Sequence, residues 1–185
     1  SDTGQLILAK HPLGALEPRF LGSLTIRLGA LFVLATALMM VVDVPLKGES
    51  SPFGIGSFEL AGAPQQALRI LLEWKSRDAL GYARLSLIVD FIYLLIYGVF
   101  FACLATWVGA RLNESTWSAR AAWAATVAAV FDILENAVLL YELARFTSPS
   151  PYPQVAASFA LAKFGLLFFS AAYSLVGGLA SLRRR

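Results

Sequence analysis

Four ionisable residues lie inside long apolar stretches of this 185-residue sequence: Asp90, Asp132, Glu135 and Lys163. At the middle of a bilayer each costs at least about 2.5 kcal/mol on insertion scales, so such residues usually face a protein interior, find partners and mark function. Their spacing suits convergence. Asp90, Tyr93 and Tyr97 stand at i, i+3 and i+7 and share one helix face, while Asp132, Glu135 and Asn136 at i, i+3 and i+4 share another. Lys163, Ser170 and Ser174 form a third polar stripe. Three carboxylates against one ammonium leave a formal balance of one minus three, or minus two. A dry site does not hold that charge, so protons, water or a bound cation must offset part of it.

Carboxylates and an amine in one cleft make opposed demands on each other's ionisation, which is the raw material of acid–base catalysis, although structural ion pairs do the same. The catalytic candidates are Asp90, Asp132, Glu135 and Lys163; the ligand-binding candidates are Tyr93, Tyr97, Asn136 and Ser170. The plainer alternative is that these groups only tie helices together, since interhelical hydrogen bonds in membranes average about 0.6 kcal/mol. For Tyr93 and Tyr97 ordinary packing is the simpler reading. Arg27, Tyr141, Glu142 and Arg145 stand near the ends of apolar stretches and read as snorkelling or interface residues.

Other chemistries lose a needed residue. The single cysteine, Cys103, allows no intrachain disulfide, and the single histidine, His11, lies in the N-terminal tail. A His- or Cys-rich metal site, paired-histidine haem ligation and an intramembrane Ser-His-Asp triad are therefore out of reach. Asp132-Ile-Leu-Glu135-Asn136 lacks the histidine of di-iron bundles, so a metal there would need oxygen ligands only, and no metal ligand is assigned. No phosphate-binding loop or cofactor lysine motif stands out, and the cofactor stays unknown.

The elements that must position these residues are apolar helices. Hydrophobic residues make up 58% of the chain and charged residues 15%, against about 25% charged in an ordinary soluble domain. Mean hydropathy is +0.68. Hydrocarbon about 30 Å thick needs roughly 20 helical residues, and four segments qualify: about 20–42, 85–108, 119–141 and 155–182. Lipid leaves no partner for an open backbone, so all four are helices and the fold is an all-α integral membrane bundle. The first segment is not expected to be a cleaved signal peptide, because a tail precedes it and three more spans follow. Ala121, Ala125, Ala128 and Ala129 on the third span suggest a close helix contact.

The domain plan is a tail at residues 1–19, a transmembrane domain at 20–182 with a long loop at 43–84, and a basic end at 183–185. Lys10, Arg19, Arg27, Arg111, Arg120 and the terminal arginines would share one side, which the positive-inside rule makes cytoplasmic. Both termini are then cytoplasmic, and the expected location is an integral membrane, the inner or plasma membrane of a bacterium. The long loop opens with turn residues, then offers Pro64 for a helix start. Leu68, Leu71, Leu72 and Trp74 give that helix an apolar side, and Glu73 with Arg77 form an i,i+4 pair. It either lies on the bilayer surface or caps the bundle end. In this orientation Asp90, Glu135, Asn136 and Lys163 all fall roughly 9–12 Å below the outer boundary.

The reading that follows is a membrane enzyme or binding protein for a lipophilic small molecule, such as a lipid or isoprenoid, working by acid–base chemistry. Whether it catalyses a reaction stays open. One alternative is a non-catalytic subunit of a larger membrane complex; another is a small proton- or cation-coupled transporter. Expected partners are membrane lipids and a lipophilic ligand, with a homo-oligomer or larger complex as alternatives, and no nucleic acid.

Overall fold

A computed structural model describes residues 11–183. Lys10, Arg184 and Arg185, which bear on the expected orientation, lie outside the described residues. Among those described, every regular element is helical. In chain order they are α1 (Pro18–Asp43), α2 (Ile55–Glu59), α3 (Pro64–Ser76), α4 (Leu80–Leu112), α5 (Thr116–Arg145) and α6 (Tyr152–Arg183). Short 3-10 turns at Pro12–Ala15 and Val44–Leu46 flank α1.

Among the described residues four helices are long and apolar enough to cross a membrane: α1 with the turn that follows it, α4, α5 and α6. The 33 residues of α4 reach roughly 50 Å at 1.5 Å per residue, well beyond a 30 Å hydrocarbon layer. These helices continue through the polar residues that flank each apolar stretch, because a helix once formed gains a hydrogen bond for each residue added. Three helix ends share one device. Asp78, Asn113 and Phe146 take positive φ values of 54°, 56° and 50°. The next residue's N–H then reaches back five positions, from Ala79 to Trp74, Glu114 to Gly109 and Thr147 to Glu142. This closes α3, α4 and α5 with a left-handed residue that satisfies terminal carbonyls.

The chain divides into two compact units, Ser1–Val33 with Leu95–Ala129 and Phe164–Arg185, and Leu34–Leu94 with Val130–Lys163. In the first, Ala102, Ala105, Ala121, Ala122 and Ala125 form the core. A Cβ on Gly98 would stand 3.1 Å from that of Ala129, so α4 and α5 approach closely there, as the alanine pattern suggests. In the same unit Phe32 stacks on Phe100 and meets Phe101 edge-on.

The second unit is built around the loop. Ala67, Ile70, Leu71 and Trp74 of α3 are buried in one cluster with Leu139 and Leu143 of α5 and Ala156 of α6. Thus α3 is a cap packed on helix ends rather than a segment lying flat. Its buried stripe also differs from the expected one: Leu71 and Trp74 face inward, whereas Leu68 and Leu72 are 41% and 50% exposed. Pro64 does occupy the first turn of α3.

Candidate functional site

Every charged residue of the candidate centre belongs to the second unit. One face of α5 carries Asp132, Glu135 and Asn136, α4 supplies Asp90 and α6 supplies Lys163. The Lys163 ammonium stands 2.8 Å from Asp132 Oδ1 and 2.8 Å from Glu135 Oε2. A third carboxylate, Glu59 of α2, approaches it at 3.4 Å. An ammonium has three N–H donors, and three carboxylates surround this one. Lys163 is therefore the cation that gathers the acids, not an amine free to attack a substrate. Beside it, Asn136 donates from Nδ2 to Asp90 Oδ2 at 2.6 Å.

Burial is nearly complete: Glu135 and Asn136 have 0% exposure and Lys163 has 4%. Glu59, Asp90 and Asp132 are buried as well. Four carboxylates against one ammonium give a formal balance of one minus four, or minus three. Three acceptors in this centre have no hydrogen-bond partner among the described residues: both Glu135 oxygens and Asn136 Oδ1. Glu135 Oε2 meets Lys163 as an ion pair whose alignment falls outside hydrogen-bond geometry. A buried acceptor without a donor costs about 1–3 kcal/mol, so these atoms have room for a proton or for a donor on a bound molecule.

Glu59 was not among the sequence candidates, because nothing in local spacing marks it. Its place depends on how the loop folds. Asp43, the last residue of α1, accepts the Ile55 N–H at 2.7 Å and so holds the start of α2. Gly54, with φ of 59° and ψ of −127°, makes the turn into α2, and a Cβ there would strike the Asp43 carboxylate. Phe58 packs edge-on against Trp74, with ring centroids 5.4 Å apart. The Trp74 indole donates to Leu46 O at 2.8 Å and to Ser51 Oγ at 3.2 Å. Glu73 accepts from the N–H groups of Glu49 and Ser50, and its expected partner Arg77 stands 3.8 Å away. The only sequence signal for Glu59 was a carboxylate between two large apolar residues, Phe58 and Leu60.

The remaining candidates divide. Tyr93 is half-buried, and its hydroxyl lies 3.0 Å from Thr36 Oγ1, which ties α4 to α1. Tyr97 and Ser170 belong to the first unit. Both are buried, and Ser174 Oγ donates to Ser170 O at 2.8 Å. Glu142 corrects the snorkelling reading. It has 0% exposure and accepts from Ser148 Oγ at 3.1 Å, because the cap covers this end of α5 between Leu139 and Leu143. Tyr141 does stay on the surface, with Arg145 over its ring.

No known protein family, no curated protein and no solved structure matches the chain. Its chemistry must be read from the centre itself. Among the described residues no three His, Cys, Asp or Glu side chains are grouped as a metal site. What the arrangement can do is hold and exchange protons among neighbouring carboxyl groups, accept a hydrogen bond, or neutralise a cation.

Proposed function

We propose that the chain binds a lipophilic small molecule and acts on it by acid–base chemistry at the Glu59, Asp90, Asp132, Glu135 and Lys163 centre. The observation that carries this reading is the surplus of carboxylates around one buried ammonium. Tying two helices together needs one acid for one base. Four acids in one buried cluster raise the electrostatic cost without adding a further tie. Such a surplus is useful where a proton must be given and taken back, or where positive charge develops on a bound molecule. Asn136 orients Asp90, Lys163 orients Asp132 and Glu135, and Glu135 Oε1 is a carboxylate oxygen with no other duty among the described residues.

Glu135→Gln and Asp90→Asn test the reading, since both keep shape while removing ionisation. Both variants should fold, with thermal midpoints near the parent's. Organic extracts of the purified proteins should show an apolar compound enriched by the parent and reduced at least about tenfold in each variant, the scale of a lost charged contact. Equal extracts from all three proteins would overturn the ligand reading and leave the non-catalytic subunit ahead. The same charge surplus favours one second reading, coupled proton or cation transport. In that case proteoliposomes would show ion flux that both substitutions abolish.

A further inference from the structure

A second feature lies in the first unit. Between the last turns of α4 and the last third of α6 runs a groove of about 390 Å³, within the size range of ligand clefts. Its lining is largely apolar and includes Leu104, Val108, Leu175 and Leu179. The two helices meet tightly at Gly177, where a Cβ would stand 2.6 Å from Val108 Cγ1. One residue on, no atom lies within 4 Å of the Cβ position of Gly178, so the groove opens there.

One end of the groove is cationic. Arg111 lines it, with its guanidinium 4.5 Å from the centroid of the Trp107 ring. Arg111 is exposed and lies in no ion pair among the described residues. Arg183, also exposed, ends α6 one turn past Leu179. Indole and guanidinium groups at the end of an apolar helix are suited to the depth of lipid headgroups. Basic pockets between membrane helices recognise anionic headgroups.

We infer that this groove binds one anionic phospholipid of the leaflet on the side of the chain termini. Its phosphate would sit at Arg111 beside Trp107, and an acyl chain would lie along the lining leucines. Ser174 and Ser181 also line the groove, but their hydroxyls donate to Ser170 O and Gly178 O of their own helix, so the arginine is the group left for an anion, whereas the leucines match a chain carried by the same molecule. From Ala171 to Leu182 the α6 wall extends about 16 Å at 1.5 Å per residue, long enough to order much of one leaflet's depth.

Native mass spectrometry of the purified full chain tests this, in micelles holding equal amounts of dioleoylphosphatidylglycerol and dioleoylphosphatidylcholine. The parent should retain one phosphatidylglycerol in preference to phosphatidylcholine by about fivefold, the effect expected of one basic residue near a lipid phosphate. Arg111→Gln should bring the two lipids to near-equal retention. Gly178→Leu, which fills the open space, should lower retention of both. Arg120→Gln, which removes an exposed arginine over Trp117, should behave as the parent does. A parent without preference, or an Arg111→Gln variant that keeps it, would overturn the proposal. So would a folded Gly178→Leu variant that retains both lipids at the parent's level. If Gly178→Leu fails to fold, the exposed Arg111 substitution decides alone.

Discussion

Lys163 and Glu135 touch each other, yet removing them should have opposite consequences. Lys163→Met takes away the cation that three carboxylates share and leaves buried negative charge without an opposing charge. Breaking a buried pair in this way typically costs about 3–5 kcal/mol. Glu135→Gln lowers the surplus instead, so its thermal midpoint in detergent should stay near the parent's or rise. Adding Glu135→Gln to Lys163→Met should restore part of the lost stability, and strictly additive midpoints would show that the two charges are not coupled. His11 offers a separate test at this scale. Its ring meets Trp123 with centroids 4.8 Å apart, and its Nε2 lies 3.3 Å from Thr126 Oγ1. Burial holds its pKa below the ordinary 6.5. The docked state thus binds fewer protons than the free one, so docking is complete above pH 6.5 and weakens as pH falls through that value towards the lowered one. In an NMR titration the chain's only histidine should have a midpoint below 6.5, and Trp123→Leu should move it upward.

Among the elements, the cap α3 is held to the loop that carries Glu59 through Trp74. Trp74→Phe would remove the indole donor to Leu46 O and Ser51 Oγ and leave part of a fully buried site unfilled, although Ser51 Oγ still donates to Leu46 O. A loss of about 1–3 kcal/mol is expected, measured by thermal unfolding. Asp43→Ala acts further from the charges. It frees the Ile55 N–H and with it the start of α2, so Glu59 loses its fixed approach to Lys163. Ligand retention should fall in that variant, and replacing Glu59 directly with Gln should reproduce the fall. This is also the scale at which sequence reading succeeded and stopped. Asp90, Asp132, Glu135, Asn136 and Lys163 were legible because helical period sets their faces and apolar flanks make their charges conspicuous. Glu59 was not, since its place follows from a contact between Asp43 and Ile55 and from a left-handed glycine, neither of which has a period. Glu142 resembled an interface residue by position alone, and only the packing of α3 on the end of α5 buries it.

For the whole molecule, four apolar helices in sequence put the α4–α5 turn on the side opposite the α1–α4 loop if each crosses the membrane once. In a Cys103→Ser background, cysteines at the exposed positions Glu49 and Ser115 should therefore react with an impermeant maleimide from opposite sides. Reaction from one side would refute the four-span arrangement. The central claim joins two properties, access from the bilayer and a carboxyl group that exchanges protons at the Lys163 centre. Dicyclohexylcarbodiimide tests both together, because it partitions into lipid and adds to carboxyl groups that pass through the protonated form. Treated in native membranes and digested, the parent should carry the adduct on the peptide containing Asp132 and Glu135, and Glu135→Gln should lose it while remaining folded. Modification only after unfolding, or undiminished labelling of that peptide in Glu135→Gln, would contradict an acid–base role for Glu135 at this centre.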